Sequence, residues 1–255
     1  MKLASYNING ISARLPRLLD WLAEAEPDAV ALQEIKCETD RFPAAALKEA
    51  GWHALVHGQK GFNGVAILSR QPVAEVRRGL PGDDSDEQSR YIEAMVGDVL
   101  LAGLYLPNGN PLPGPKFDYK LSWMARLEAR AAELMERDTP VVLAGDWNVC
   151  PTDHDAARPD MMRGDALFQP ESRAAFRRIL SQGWTDAIRA ARPYADCYTY
   201  WDYQAGAWPK NWGLRIDHIL LSPAAADRMT DCGIDRETRG AERASDHVPV
   251  WVVIS

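Results

Sequence analysis

The sequence is poor in several features, and each shortage narrows the field. It holds four cysteines in 255 residues, Cys37, Cys150, Cys197 and Cys232. No two are close enough for a zinc knuckle or a redox pair. A chain of this length buries enough surface to fold without disulfides, so free thiols in the reducing cytoplasm are expected. No apolar run approaches the roughly 18 residues that would span a bilayer. The opening stretch MKLASYNING has no apolar core of the kind a secretory leader needs. No glycine-rich nucleotide loop of the Rossmann or Walker type occurs, which removes the usual support for a nucleotide cofactor. Linker-like and low-complexity tracts are missing too, so a single domain over residues 1–255 is expected. Positive charge is in deficit, with 29 Lys+Arg against 36 Asp+Glu and a net charge of −7. That argues at first sight against a partner with a phosphate backbone, although net charge says nothing about where the charges sit.

What is present reads as a soluble globular α/β chain, 46% hydrophobic and 25% charged. Residues 2–8 form a strand closed by the Asn9-Gly10 turn. Leu15, Leu18, Leu19 and Leu22 then recur at helical spacing up to Pro27-Asp28. A compact apolar strand follows at 29–33, a short helix at 43–50, and strands at 52–57 and 64–69. Residues 90–97 and 99–106 read as a hairpin turning at Gly97-Asp98. Pro107, Pro111, Pro113 and Pro115 exclude helix and central strand from the stretch they occupy. A long helix is expected from Phe117, Leu121, Met124, Leu127, Ala131 and Leu134, and PVVLAG behind it is a buried strand. Residues 150–172 are polar and long for a loop, which marks them as functional or mobile. A helix near 171–182 and strands near 197–201, 215–221, 231–237 and 248–253 complete the chain. Strands often follow one another without a helix between them, which predicts a mixed-sheet α/β sandwich, not a purely parallel sheet.

The polar residues at the strand ends carry the chemistry. Asn7 and Asn9 end the first strand, Glu34 the second, and Asp146 and Asn148 the PVVLAG strand; Asp217 lies in RIDHILL and Asp246-His247 precede the last strand. Strand residues two apart share a face, so Asp146 and Asn148 can share a site while Trp147 packs away. Carboxylate and amide oxygens suit a hard cation, with Glu34, Asp246 and Asn7 as the nearest candidates. Asp146 could take a proton from water that Asn148 holds, His247 could donate to a phosphoryl oxygen, and Asp217 could orient His247. Tyr105, at a strand end beside the proline-rich loop, could reach a phosphate through its hydroxyl. His218 repeats the Asp-His dipeptide, but alternation sends it to the other face, leaving Asp217 inward if Arg215 and Ile219 share its side. Each residue also has a bland role as turn, cap or strand aromatic, so types and spacing reach only an α/β enzyme able to hold a divalent cation.

The motifs in order go further. SYNING, LQE, GQKGFNGVAILS, LPGDD, GDWN, GLRIDHIL and SDHVPV run from residue 3 to residue 252. Together they resemble the exonuclease III family of abasic-site (AP) endonucleases, within the wider endonuclease/exonuclease/phosphatase superfamily. The resemblance implies a four-layer αββα sandwich of two mixed β-sheets (DNase I-like) and a Mg²⁺ or Mn²⁺ ion. It implies a monomeric enzyme with no membrane contact. Its substrate would be double-stranded DNA, incised 5′ to abasic sites, shortened 3′→5′ from duplex ends, or cleared of 3′-blocking phosphates. Carried over residue by residue, Asn7, Glu34 and Asp246 look like the metal site, to which some schemes add Asp146, Asn148 and His247. Asp146 resembles the residue that activates water, Asn148 the transition-state stabiliser, Tyr105 the active-site tyrosine, and Asp217 with His247 the Asp–His pair. Asn108 takes the amide position on the phosphate-contacting loop, and Asn9 a position where a second metal is at issue. In the aromatic loop 198–212, Tyr200 and Trp201 fall at the wall of the pocket for an extruded abasic sugar. The resemblance thus assigns Glu34, Asp146, Asp217 and Asp246 to the site, so part of the acidity is catalytic equipment. The remaining excess confines DNA contact to a basic, aromatic face around Lys60, Arg90, Lys116 and Lys210, with salt-sensitive affinity. Two alternatives stay open: a phosphodiesterase acting on lipid or inositol phosphates, and a catalytically silent DNA-binding homologue.

Overall fold

The computed structural model describes residues 1–255. In chain order the elements are β1 (Lys2–Asn7), α1 (Ile11–Ala25), β2 (Ala29–Gln33), α2 (Ala44–Glu49), β3 (His53–His57), β4 (Val65–Ser69) and β5 (Ala74–Arg78). Next come β6 (Tyr91–Val96), β7 (Val99–Tyr105), α3 (Pro115–Met135), β8 (Val141–Asp146), α4 (Pro170–Ser181), β9 (Thr185–Asp186) and α5 (Ala187–Ala191). The chain closes with β10 (Asp217–Leu221), α6 (Pro223–Ala226), β11 (Met229–Ile234) and β12 (Val250–Ile254). One sheet has the order β11-β12-β1-β2-β4-β3 and the other β5-β6-β7-β8-β10-β9. Each contains one parallel pair at its centre, β1 with β2 and β7 with β8, among antiparallel neighbours.

Strand alternation assigns the layers. Leu3, Ala29 and Ala31 of one sheet and Leu101, Val142, Ala144 and Ile219 of the other meet in a core between the sheets. The opposite residues, Tyr6, Val30 and Leu32, pack outward against Leu18, Trp21 and Leu22 of α1 and Leu47 of α2. On the far side, Leu100, Leu104 and Leu143 pack against Trp123, Met124 and Leu127 of α3 and Phe176 and Ile179 of α4. The result is the four-layer αββα sandwich expected. Small residues let the sheets approach: a Cβ on Gly103 would lie 3.1 Å from that of Ala31 on the facing sheet.

Several elements differ from the sequence expectation for physical reasons. α3 begins at Pro115, inside the stretch excluded from helix, because the first helical position needs no N–H and suits the fixed φ of proline. Residues 197–201 form no strand; Tyr200 makes only single bridges to Leu214 and His247. β5 escaped the pattern because it is an exposed edge strand with no apolar alternation. In α1, Ile11 and Trp21 are buried with Leu18 and Leu22, while Leu15 and Leu19 are only part-buried. The long 150–172 segment is neither open nor irregular throughout. Three 3₁₀ turns fold it onto a small core of Cys150, Ala156, Leu167, Phe168 and Ile216.

Candidate active site

The C-terminal ends of the two parallel pairs, β1 with β2 and β7 with β8, meet the starts of β10 and β12 at one end of the sandwich. Asn7, Glu34, Tyr105, Asp146, Asp217 and His247 all fall there. Inward alternation explains their convergence: Asp146 continues the face of Val142 and Ala144, and Asp217 that of Ile219. Asn9, Glu34 and Asn148 adopt left-handed backbone at φ 47, 51 and 47. Such strain persists only where the surroundings impose it, and it concentrates at working sites.

Carboxylates, one imidazole and one bridging amide form the centre. Asn7 Nδ2 donates to Glu34 Oε1 and to Asp146 Oδ2, both at 2.9 Å. Asp146 Oδ1 accepts the Asn148 N–H at 2.9 Å, and His247 Nε2 lies 3.7 Å from Asp146 Oδ2. Asp217 Oδ2 holds His247 Nδ1 at 2.8 Å, with both side chains buried. The Ser245 hydroxyl accepts the His247 N–H and donates to Asn7 O, which fixes the imidazole-bearing loop against β1. Burial pushes the His247 imidazole down, but Asp217 and Asp146 outweigh it and raise it to about 10. Asp146 is pushed up by its own burial, against the pull of His247. Burial likewise raises Glu34, yet the bonds from Asn7 and Lys36 prevail and keep it ionised below the usual range. The Tyr105 hydroxyl is held protonated well above its ordinary value, first by burial and then by Glu34 and Asp146.

The donor set fits a divalent cation. Ligand atoms of Glu34, Asp146 and His247 all lie within 4.8 Å of one another. Asp217 Oδ1 is buried without a partner. The Lys36 ammonium sits 2.8 Å from Glu34 Oε2, so the carboxylates already draw positive charge. Of the other candidate ligands, Asn7 bridges two members of that cluster and Asp246 is bonded to Asn9. The Asn7 oxygen accepts the Asn9 N–H and its nitrogen faces the carboxylates, so as arranged it orients Glu34 and Asp146. Asp246 Oδ1 accepts from Asn9 Nδ2 at 2.9 Å. Asn148 is also tied: its Oδ1 accepts from Asn108 and its Nδ2 donates to Leu106 O, leaving one lone pair and one amide hydrogen free.

A pocket of about 580 Å³ opens from these groups, walled by Tyr200, Trp212, Leu214, Ile216 and Leu167 with Met161 and Met162 at the rim. Tyr200 stacks obliquely on His247 at 5.0 Å. Trp201, expected beside it, is instead buried and bonded to Asn211, because its extended neighbour Tyr200 takes the pocket side. Trp212 supplies the aromatic wall, flanked by Arg158 at 4.4 Å and Lys210 at 4.2 Å. Of the expected basic face, Arg90 is folded over the Tyr105 ring and bonded to Tyr105 O, which makes it a support for that tyrosine. Lys60 lines a separate groove with Lys36 and Arg41, and Lys116 is exposed at the start of α3. Spacing gave no hint of Lys36, Arg158 or Trp212 in this site, since loops bring them in. His218 faces away from the site as alternation required. Arg215 goes with it, at 2.9 Å, because it precedes β10 and does not follow the strand's alternation.

Comparison with known proteins decides the lineage. Residues 4–247 match the Endonuclease/Exonuclease/phosphatase family. The chain belongs to that family. It is 36% identical to the exodeoxyribonuclease III of Haemophilus influenzae, over 98% of each chain. Among solved structures it resembles the 3′-5′ exonuclease NExo from Neisseria meningitidis, with 41% identity, a TM-score of 0.97 and 100% coverage of both chains. A second Neisseria NExo structure, described as a 3′ phosphatase bound to product DNA hairpin, matches with the same TM-score of 0.97. An AP endonuclease from Archaeoglobus fulgidus follows, with 36% identity, a TM-score of 0.96, and coverage of 100% of this chain and 99% of that one. Within the family, the exonuclease III branch indicated by the motifs is therefore the one this chain occupies.

Proposed function

We propose that the protein is a divalent-cation-dependent DNA repair nuclease, hydrolysing phosphodiesters of duplex DNA 5′ to abasic sites and 3′→5′ from its ends. The observation that carries the reading is the buried Asp217–His247–Asp146 array beside Glu34, opening into a pocket with apolar walls. Relatives described as exodeoxyribonuclease III and AP endonuclease support it.

Glu34 and Asp146, with Asp246 nearby, would hold Mg²⁺ or Mn²⁺. Such an ion, when bound, supplies charge neutralisation for the phosphoryl group. The chain's own groups do the rest. Asp146, its carboxyl raised toward neutrality by burial, is suited to accept the proton of the attacking water. Asn148, fixed by Asn108 and Leu106, keeps one hydrogen and one lone pair to hold that water. His247, protonated and oriented by Asp217, donates from Nε2 to a phosphoryl oxygen where negative charge grows. Tyr105 presents a protonated hydroxyl as a second donor. The 3′-oxygen departs with the P–O bond electrons and takes up a proton from solvent, leaving a 3′-hydroxyl and a 5′-phosphate.

The pocket wall of Tyr200, Trp212, Leu214 and Ile216 suits the sugar of an extruded residue, with the cost of unstacking lowest where the base is missing. On this reading the protein acts as a monomer in the cytoplasm. No helix is long and apolar enough to cross a membrane.

End-labelled duplexes, one intact and one with an abasic analogue, incubated with Mg²⁺ or EDTA and resolved on denaturing gels, test the reading. A cut beside the analogue or a shortening ladder, lost with EDTA, is expected. Absence of both products with Mg²⁺ refutes nuclease activity, and release of phosphate from a lipid or inositol phosphate in its place establishes the other branch of the superfamily.

A further inference from the structure

Lys120 has no place in the chemistry described so far, yet it is fully buried beside it. It leaves α3 on the helix face that carries Met124, Leu127 and Ala131, a stripe otherwise built for the apolar core. No carboxylate lies within ion-pair distance. The ammonium instead donates to three backbone carbonyls, Pro107 O at 3.2 Å, Asn108 O at 3.1 Å and Asn148 O at 2.6 Å. Protonated, it brings three protons to three acceptors on two different loops, while burial draws it down to about 7 against the pull of Asp146. Gly109 makes room for the stem: a Cβ there would lie 2.6 Å from Lys120 Cδ, at a φ of +92.

The two loops carry the site's amides. Asn108 Nδ2 donates to Asn148 Oδ1 at 3.1 Å, and the Asn148 N–H donates to Asp146 Oδ1 at 2.9 Å. Asn148 holds its strained φ of 47 between these bonds and the one to Lys120. A buried ammonium is costly compared with an apolar side chain of the same length. Methionine would fill the space below the loops, so packing alone does not call for lysine. What lysine adds is three directed donors at the point where the loops converge.

We propose that Lys120 is a positioning residue for phosphodiester hydrolysis, holding the Asn108 and Asn148 loops so that both amides and Asp146 present one geometry to phosphate and water. This rests on the nuclease reading and deepens it. Lys120 touches neither substrate nor cation; it acts through Asn148.

A double-mutant cycle tests the proposal. Lys120→Met, Asn148→Ala and the double variant are compared with wild type on a Mg²⁺-activated abasic-analogue duplex, with thermal melting alongside. Misplacement of reacting groups by about an ångström lowers turnover about 100-fold. The expected result is that loss in kcat for Lys120→Met with KM nearly unchanged. In the Asn148→Ala background the same substitution costs only a few-fold, because the two act as a unit. If Lys120→Met does not fold, Lys120→Gln is read in the same cycle. A folded variant with wild-type kcat, a rise in KM alone, or losses that multiply in the double variant overturns the proposal while the nuclease reading stands. A wild-type enzyme that cleaves nothing overturns the nuclease reading, and this proposal with it.

Discussion

Asp217→Asn separates the two roles that a buried carboxylate plays for an imidazole, orienting it and charging it. The substitution keeps an oxygen near His247 Nδ1, now 2.8 Å from Asp217 Oδ2, but removes the negative charge. With the two charge centres about 4 Å apart and an effective dielectric near 20, a full charge is worth about 4 kcal/mol. That corresponds to roughly three pKa units. His247 stands at about 10. In the variant it falls close to neutrality, because burial already works against the imidazolium and only Asp146 and, more weakly, Asp246 remain to support it. At about one pH unit above that value roughly nine molecules in ten lack the protonated donor, and turnover falls about tenfold, the loss growing as pH rises further. The shift is read directly by following imidazole nitrogens by NMR in the metal-free protein. The chain has five histidines, and the buried His218 is set apart by titrating only near about 4. Wild-type His247 is expected to stay protonated through neutral pH, and the variant to titrate about three units lower. A His247 titration that does not move in Asp217→Asn refutes the assignment of Asp217 as the source of its charge.

Three further outcomes follow from other parts of the molecule. Burial and Arg215 hold His218 down at about 4, whereas an unfolded chain titrates near 6.5. Neither state is charged above 6.5, so stability falls as pH drops from there toward 4, by up to roughly 3 kcal/mol; urea titrations should show a flatter profile for His218→Gln. Asp155 accepts from Arg215 and Arg189, each at 2.6 Å. Burial raises its carboxyl, but the guanidinium charges and their bonds dominate and hold it far below the usual range. Its contribution is therefore complete above about pH 4 and is lost below it. Asp155→Asn leaves the buried Arg215 guanidinium with Asp186 as its remaining carboxylate partner and should cost about 3 kcal/mol, the low end for a broken buried pair, seen as a melting-temperature drop of roughly 6 °C or more; an unchanged melting temperature contradicts it. Lys60→Ala should lower the slope of log affinity against log salt for a duplex by about one, measured on the metal-free enzyme, while an unaltered slope removes Lys60 from the DNA face.

Much of the site was legible because β-structure converts sequence order into direction. Asn7, Asp146 and Asp217 lie on strands whose apolar residues identify the inner face, so alternation alone aims them at one end of the sandwich. The same rule separated His218 from Asp217. Applied to Tyr200 and Trp201 it would have sent them to opposite sides, as the structure does; that stretch is extended without being paired as a strand. Arg215 shows the opposite failure, since alternation was extended one step before the strand begins. Trp212, Arg158 and Lys36 had no such ruler. They arrive on loops, where position in the chain says little about position in space. Lys120 did leave a trace. Residues 120, 124, 127 and 131 lie at helical spacing on one face of α3, and a lysine in that stripe is a charge where the core needs an apolar side chain. A buried lysine must find acceptors, and those available at a strand's C-terminal end are the loop carbonyls of a site.

The net charge of −7 misled about the partner because it sums groups that never share a surface. Asp146 and Asp217 are buried, and neither presents its charge to approaching DNA. Glu34 is largely neutralised by Lys36, and Asp155 and Asp186 by Arg215. At the mouth of the pocket a polyanion meets Arg158 and Lys210 held against Trp212 beside the acids Asp165 and Asp202, and Lys36, Arg41 and Lys60 along the neighbouring groove. Asp146 and Asp217 are withdrawn into the sandwich, where a cation and a phosphate are needed together, and the bases stay at its edge. An acidic protein can therefore offer DNA a local basic track leading to an acidic centre. Such a track gives weak, salt-dependent attachment, as a nuclease must leave one phosphodiester to reach the next.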